Sequence, residues 1–307
     1  MLDSIKIKTL YIKFFDIDYD EVSHKPVPTG ILRSEEQNLR RLKTAGSNFV
    51  RFSVIPTIFI TNRCILDIDT TQLTDLVINM HKLIMHTIES NGFDNIEEIQ
   101  FDCDWTERTR DKYFMLLQKF HALVPGTPLS ATIRLHQVKF SAKTGIPPVN
   151  RGLLMAYNMG NLRDPGAANS ILDVQELKKY ITNLQAYPLQ LDVALPLFGW
   201  SVLFRNNEFR GLINDIRDED MRGMWKQNGK QKRIDFTRDT IIKGYRFNTG
   251  DWLRVEESNY DQIIAAADVL TSHLPKAGMR VALFHLDSLI LKKYTTHEIE
   301  SIYNSLH

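Results

Sequence analysis

Two aspartates one residue apart, Asp102 and Asp104, follow a short run of alternating apolar character at residues 99–101. Side chains two positions apart on a strand point to the same face, so the sequence predicts that the two carboxylates lie side by side. Neighbouring carboxylates repel, which raises the pKa of one and keeps the other ionised, and such a pair is suited to handling a proton. The alternative is an acidic strand end at which Asp104 or Thr106 caps the next helix. These residues alone favour the two interpretations equally.

Side chains suited to proton transfer or sugar binding also stand at the ends of most other predicted strands. The C-terminal ends of parallel strands meet at one rim of a barrel, so these side chains are predicted to line a polar pocket. The residues concerned are Asp16 and Asp18, Arg134, His136 and Gln137, Tyr157 and Asn158, Trp200, and His285 and Asp287. For Arg134 the alternative is a structural ion pair with an aspartate. For Trp200 the alternative is a place in the core.

Predicted strands and helices alternate along the chain, which is typical of a parallel α/β fold. We predict a single (β/α)8 TIM barrel over residues 1–307, with a polar insertion at about 205–250 that contains one helix. Only two clear strands precede Asp102, so either the stretch 49–60 contributes differently or residues 253–256 are a true barrel strand. The predicted strands are 9–16, 49–60 with a break at Pro56, 99–104, 129–137, 152–159, 191–198, 251–257 and 280–288, and the predicted helices are 34–43, 71–90, 110–123, 174–187, 260–274 and 297–306.

The composition narrows the class of protein without identifying it. Hydrophobic residues make up 43% of the chain, enough for a large core, and the net charge of +1 gives no sign of a polyanionic partner, so no nucleic-acid binding is predicted. The two cysteines, Cys64 and Cys103, argue against a disulfide scaffold and a cysteine-ligated metal site, and no cofactor is predicted. The chain has no membrane-spanning run and no signal-peptide core, so it is predicted to be soluble as written. A secreted or periplasmic chain without its leader would look the same, so localisation stays open, as does the oligomeric state.

Three stretches together resemble the chitinase-like glycoside hydrolases of family 18. The first is Phe-Asp-x-Asp-Trp at residues 101–105, followed by a helix with Tyr113 and Phe114. The second, residues 154–158, is similar to the Met-x-Tyr-Asp strand of that family, and the third, residues 191–200, is similar to its Gly-x-Pro-x-Tyr-Gly strand. The stretches occur in the order of the family and cover roughly residues 95–205.

The resemblance implies a TIM barrel that acts on or binds a glycan, with the N-acetyl group of the substrate as nucleophile. Asp104 would orient and polarise that acetamido group, Asp102 would share its proton, and Tyr157 would hydrogen-bond to the reaction centre. The glutamate that protonates the leaving group in the family is replaced here by Thr106, and the carboxylate of the Tyr-Asp pair by Asn158. Glu107 is the first candidate for the missing acid, and Asp287 and Asp18 are the next candidates. The predicted substrate-binding residues are Asp16, Asp18, Trp105, Arg134, His136, Gln137, Asn158, Trp200, His285 and Asp287.

Three hypotheses follow for the function. The first is a retaining glycosidase that uses the residues above, and the second is a glycan-binding or accessory barrel that has lost its acid. The third is a metal-dependent hydrolase built on His136, His285 and aspartates. It has the weakest support, because no short metal-binding spacing of histidines occurs in the sequence.

Overall fold

Strands and helices alternate along the described part of the chain. The computed structural model describes residues 5, 7–33, 52–214, 216, 218–221, 224–274 and 278–306. The strands are β1 (Thr9–Asp20), β2 (Lys25–Thr29), β3 (Ser53–Ile60), β4 (Ile99–Asp102), β5 (Leu129–Arg134), β6 (Arg151–Met155), β7 (Leu191–Pro196), β8 (Gly199–Arg205), β9 (Glu208–Ile213), β10 (Trp225–Asn228), β11 (Gln231–Asp235), β12 (Thr240–Ile242), β13 (Tyr245–Phe247), β14 (Asp251–Glu257) and β15 (Val281–Phe284). The α-helices are α1 (Asn62–Asp67), α2 (Leu73–Asn91), α3 (Arg110–Leu123), α4 (Leu135–Lys139), α5 (Ser141–Thr144), α6 (Val174–Tyr180), α7 (Tyr260–Thr271), α8 (Ser288–Leu291) and α9 (Thr296–Asn304), and shorter 3₁₀ turns cover Thr70–Gln72, Ile181–Ala186 and Asp218–Met221.

The larger sheet contains eight strands in the order β15-β7-β6-β5-β4-β3-β1-β2. Pairing is parallel between β1 and β3, β3 and β4, β4 and β5, and β7 and β15. Strand β2 folds back on β1 as an antiparallel hairpin at the edge. Every residue of β7 is buried, as expected for a parallel strand covered on both faces.

The chain divides into two compact units, and strands β6 and β7 have residues in both. Unit 1 comprises Met1–Leu154 and Ala186–Asp192, and unit 2 comprises Met155–Gln185 and Val193–His307. In unit 1, helices α2 and α3 pack through apolar positions at helical spacing. The ring of Phe120 on α3 meets that of Phe101 on β4 edge to face at 4.9 Å. Helix α3 has the bounds that the sequence predicts, because its amphipathic pattern and its packing face agree.

Unit 2 contains a second sheet of five strands in the order β10-β11-β14-β8-β9, with antiparallel pairing throughout. The sequence predicts one helix in this stretch, at about 205–250, and among its described residues the helical element is the 3₁₀ turn Asp218–Met221 while the other elements are short strands. Within this sheet Phe204 on β8 stacks on Trp252 on β14 at 4.3 Å, and Phe236, just after β11, stacks at 4.2 Å on Phe247 of β13. Strand β14 belongs to this antiparallel sheet, which answers the open question about residues 253–256: they are not a barrel strand.

Other boundaries also differ from the sequence prediction. Strand β3 runs through Pro56 without a break; β1 changes register between Lys13 and Phe15, just after the residue that pairs with this proline. The strand predicted at 129–137 ends at Arg134, where the chain turns into α4. The helix predicted at 34–43 and the first residues of the strand predicted from 49 lie outside the described residues.

Candidate functional site

Asp102 and Asp104 bind side chains that are two residues apart on the neighbouring strand β5. The hydroxyl of Thr132 donates to Oδ1 of Asp102 at 2.6 Å. The guanidinium of Arg134 binds Asp104 through two hydrogen bonds, from Nε to Oδ1 and from Nη2 to Oδ2, the latter 2.6 Å long. The register that pairs Phe101 with Ala131 places these partners beside the aspartates. The side chain of Asp104 is thus engaged by Arg134, which is the structural alternative considered for this arginine.

The carboxyl of Asp102 is shifted toward its protonated form. Removal from water raises the pKa of Asp102, and the negative charges of Asp104 and Asp16 raise it further. The hydrogen bond from Thr132 and the charge of Arg134 act in the opposite direction. The raised pKa has the direction expected for the more buried of two neighbouring carboxylates, and the role of the pair in handling a proton stays a prediction.

We expect the substitution Asp102→Asn to stabilise the fold increasingly as the pH rises. Because the pKa of Asp102 is higher in the folded chain than the value of about 3.9 in an unfolded one, the folded state binds more protons, and stability is lost as the pH rises through the folded pKa. Asparagine keeps an acceptor for Thr132 and has no proton to lose. The measurement is the free energy of unfolding in urea for both proteins at several values between about pH 4 and pH 8.

The matched control is Asp111→Asn. Arg110 lowers the pKa of Asp111, so this variant is expected to show a small dependence of the opposite sign. A stability difference between Asp102→Asn and wild type that does not change with pH would contradict the raised pKa.

The residues that follow Asp104 divide between the core and the surface. The side chain of Trp105 has no exposed area, donates from Nε1 to the carbonyl of Thr144 at 2.9 Å and stacks on Tyr113. Thr106 and Glu107 are exposed, and Glu107 lies in the turn before α3. Trp105 therefore has no surface to offer a sugar in this structure, and we leave it out of the proposed site.

Of the residues predicted at the end of β5, Gln137 is buried and His136 is exposed on α4. Gln137 donates from Nε2 to the carbonyl of Trp105 and accepts from the amide of Arg134, so it fixes the start of α4. Desolvation and, next, the charge of Arg134 lower the pKa of His136, while Asp104 opposes them. The strand face that Arg134 and His136 were predicted to share does not exist, because the chain becomes helical at Leu135.

The pair of acids on β1 is held by basic and hydroxyl groups. Asp16 accepts from Lys13 at 3.0 Å, and Asp18 accepts from Thr61 at 2.8 Å and from Arg63 at 2.9 Å. The hydrogen bond from Thr61 is the largest cause of the lowered pKa of Asp18, to which the amide of Tyr19 and Arg63 also contribute. A lowered pKa makes Asp18 a poor proton donor.

In unit 2 the structure gathers five rings into what we call the aromatic cluster: Tyr157, Phe198, Trp200, Phe284 and His285. Phe284 stacks on Tyr157 with ring centroids 5.4 Å apart, and Phe198 meets both edge to face. Trp200 lies 5.3 Å from Phe198, and His285 lies 6.3 Å from it. Phe284 is 47% exposed, whereas Tyr157 and Phe198 are buried. Of the tyrosine and the two phenylalanines in the cluster, Phe284 is therefore the one whose side chain reaches the surface.

Sequence reasoning did not single out Phe284, although an aromatic residue beside His285 at the end of a strand was a usable signal. It also overlooked Glu256, whose Oε2 accepts from Nε1 of Trp200 at 2.8 Å. Trp200 lies on β8, at the start of the antiparallel sheet, and not at the end of a barrel strand as predicted.

The remaining predicted residues of unit 2 shape the backbone. Asn158 is exposed at a positive φ of 55°, and its amide donates to the carbonyl of Ile171. Asp287 caps α8 by accepting from the amides of Leu289 and Ile290. Its carboxylate thus acts as a helix cap.

No group of three or more histidine, cysteine, aspartate or glutamate side chains in the described ranges could hold a metal ion. Nor does any helix in this part of the chain combine the length and the apolar character that crossing a membrane requires.

Comparison with known proteins identifies the fold. No family model matches the chain, and no curated protein matches it in sequence. It is similar to the structure of a chitinase from Chromobacterium violaceum, with a TM-score of 0.58 and 10% identity over 97% of this chain and 90% of that one. The spore cortex-lytic enzyme SleL of Bacillus cereus gives 0.53 and 16% over 96% and 67% of the two chains. A mutant class V chitinase of Nicotiana tobaccum, in complex with NAG4, gives 0.50 and 11% over 100% and 94%. The chain thus has the α/β TIM-barrel fold of these two chitinases and the cortex-lytic enzyme, as the three motifs predicted, with a small added sheet.

Proposed function

We propose that this protein binds a glycan containing N-acetylglucosamine, and that the aromatic cluster of unit 2 supplies the stacking surface. The observation that carries the proposal is the exposed ring of Phe284, held flat against Tyr157 at the C-terminal end of a parallel strand. Aromatic faces bind the apolar faces of sugars, and the ends of parallel strands are where barrels of this type build their sites. The fold, and the NAG4 complex of the tobacco chitinase, support the choice of sugar.

Binding without turnover agrees best with the groups around Asp104. The position of the leaving-group acid is occupied by Thr106, which has no ionisable proton in the useful range, and the neighbouring Glu107 is exposed in a turn. Asp104 is neutralised by Arg134 through two hydrogen bonds. An acetamido group would have to displace that ion pair before Asp104 could orient it.

The test of binding is titration of the protein with chitooligosaccharides of two to six units, followed by calorimetry. We expect wild type to bind them, with the cello-oligosaccharide of the same length binding more weakly because it lacks acetamido groups. Phe284→Ala is expected to weaken binding roughly fivefold, since a stacked ring contributes on the order of 1 kcal/mol.

The control for this variant is Ile241→Ala, which removes an equally apolar side chain, 72% exposed, from the hairpin of β12 and β13 in the same unit. It is expected to bind as wild type does. Failure of wild type to bind any chitooligosaccharide would reject the proposed function.

Hydrolysis is the second candidate, favoured by the raised pKa of Asp102 next to Asp104. In this mechanism Asp104 orients the acetamido group, Asp102 holds the shared proton and Glu107 protonates the leaving group. Release of the chromophore from nitrophenyl N-acetylglucosaminides should then fall in both Asp104→Asn and Glu107→Gln. Glycan binding without chromophore release would leave the binding proposal in place and remove hydrolysis.

A further inference from the structure

We propose that Glu256 is a positioning residue that fixes the indole of Trp200 within the aromatic cluster. The carboxylate of Glu256 is buried in the second sheet and accepts a hydrogen bond from the indole N–H of Trp200. The consequence for glycan affinity rests on the proposed function, whereas the effect on the orientation of Trp200 does not.

The register of the second sheet brings the two residues together. Strands β8 and β14 are antiparallel, and Trp200 pairs directly with Glu256. Directly opposed side chains on adjacent strands lie on the same face, within contact distance. Nε1 of Trp200 accordingly donates to Oε2 of Glu256 at 2.8 Å, while the ring itself stays half-buried.

The carboxylate of Glu256 is held from both sides. Its Oε1 accepts from Nε of Arg254 at 2.5 Å, and neither side chain has exposed area. Its Oε2 accepts, besides the indole, the amide of Ser170 at 2.9 Å and the hydroxyl of Ser170 at 2.5 Å. Every hydrogen bond that these atoms make is one in which the glutamate accepts, so only a carboxylate satisfies all four.

The same network secures the loop that follows Tyr157 in the chain. Arg254 donates to the carbonyls of Asp164 at 2.5 Å and of Leu162 at 3.3 Å. The loop is therefore fixed at its middle by Arg254 and at its far end, at Ser170, by Glu256. One buried ion pair thus holds both the indole of Trp200, a member of the aromatic cluster, and the loop that follows Tyr157.

A buried ion pair is a weak means of stabilising a fold, because apolar residues of the same volume do as well or better. It is a good means of fixing direction, since the indole has one donor and the carboxylate that accepts this hydrogen bond fixes where the N–H points. A ring held in place before binding loses less entropy when a sugar stacks on it. These properties indicate a role in preorganisation.

The experiment uses the full chain labelled with 5-fluorotryptophan and observed by ¹⁹F NMR. The chain has four tryptophans, and the resonance of Trp200 is identified by its absence from Trp200→Phe. We expect Glu256→Gln to shift or broaden the Trp200 resonance, because the side-chain amide of glutamine places an N–H group where the carboxylate accepted hydrogen bonds. The resonance of Trp105 in unit 1 should be unchanged. The matched control is Ser170→Ala, which removes one hydroxyl from the same carboxylate oxygen and should leave the Trp200 resonance in place.

Chitotetraose affinity is measured on the same proteins. We expect Glu256→Gln to weaken binding about fivefold, Trp200→Phe to weaken it by a similar factor, and the double variant to bind no more weakly than Trp200→Phe, because both changes act through one ring. Additive losses in the double variant would show that Glu256 does not act through Trp200 and would overturn the inference.

The outcomes separate the two proposals. An unmoved Trp200 resonance in Glu256→Gln overturns the positioning role. A shifted resonance in a protein that binds no glycan supports the positioning role and rejects the proposed function. Where Glu256→Gln does not fold, hydrogen exchange of the Trp200 indole N–H in wild type decides, and exchange as fast as that of a free indole overturns the inference.

Discussion

Replacing Arg254 by methionine is expected to lower the free energy of unfolding by about 3–5 kcal/mol, because it leaves the carboxylate of Glu256 buried without its counter-charge. Both side chains have no exposed area, and Glu256 cannot turn to water without breaking its bonds to Ser170 and Trp200. Methionine fills most of the volume of arginine, so the loss is of charge and hydrogen bonds rather than of packing. Urea unfolding followed by circular dichroism measures it.

The second sheet offers a matched control in Arg210, which pairs with Glu208 two residues away on β9 as Arg254 pairs with Glu256 on β14. The difference between the pairs is exposure, since the side chains of Arg210 and Glu208 are 43% and 69% exposed. Arg210→Met is expected to cost less than about 1 kcal/mol. Adding Glu256→Gln to Arg254→Met should recover part of the lost stability. Equal losses for Arg254→Met and Arg210→Met would contradict the importance of burial.

Trp105→Ala is expected to lower the free energy of unfolding by about 3–5 kcal/mol, because it removes a fully buried ring and opens a cavity between β4 and α3. Loss of the donor to Thr144 also leaves a buried carbonyl without this partner. The folded protein is expected to bind chitotetraose as tightly as wild type, since no part of the ring reaches the surface. The measurements are urea unfolding and calorimetric titration below the melting temperature.

Trp200→Ala is the comparison for Trp105→Ala, and we expect the opposite pattern of effects on stability and on glycan affinity. Trp200 is half-buried, so its loss should cost less stability and more affinity, roughly fivefold or more in the dissociation constant. Trp105→Phe, which keeps an aromatic ring in the core, serves if the alanine variant does not fold. Weaker glycan binding by folded Trp105 variants would contradict this expectation and support the sequence-based prediction that Trp105 binds the substrate.

The sequence was sufficient for elements whose pattern and environment agree. Helix α3 has its predicted bounds, α2 and α7 lie within two or three residues of theirs, and the strands leading to Asp102 and through residues 191–196 are where periodicity puts them. Asp102 and Asp104 were found because two carboxylates on one face at a strand end are suited to handling a proton. The three motifs together predicted the TIM-barrel fold that the structural comparison confirms.

Short strands with mixed burial were beyond the reach of periodicity. Strand β9 alternates exposed and half-buried residues and carries charges at Glu208 and Arg210, so the stretch after residue 205 was predicted as a polar insertion with a helix. Its sheet exists because distant strands pair, and pairing is not a local property of the chain. The break predicted at Pro56 was wrong for the same reason, since the neighbouring strand decides where a missing amide is tolerated.

The sequence by itself determined which residues are candidates for chemistry: the acids after Phe101, the tyrosine after β6 and the tryptophan after Gly199. Only the tertiary structure decided what each one faces. In the folded chain Asp104 is paired with Arg134, Trp105 lies in the core, and Trp200 donates a hydrogen bond to Glu256, 56 residues away in the chain. The physical reason is that a side chain's role depends on its burial and on its partner, and both are set by strand register between segments that are far apart in sequence.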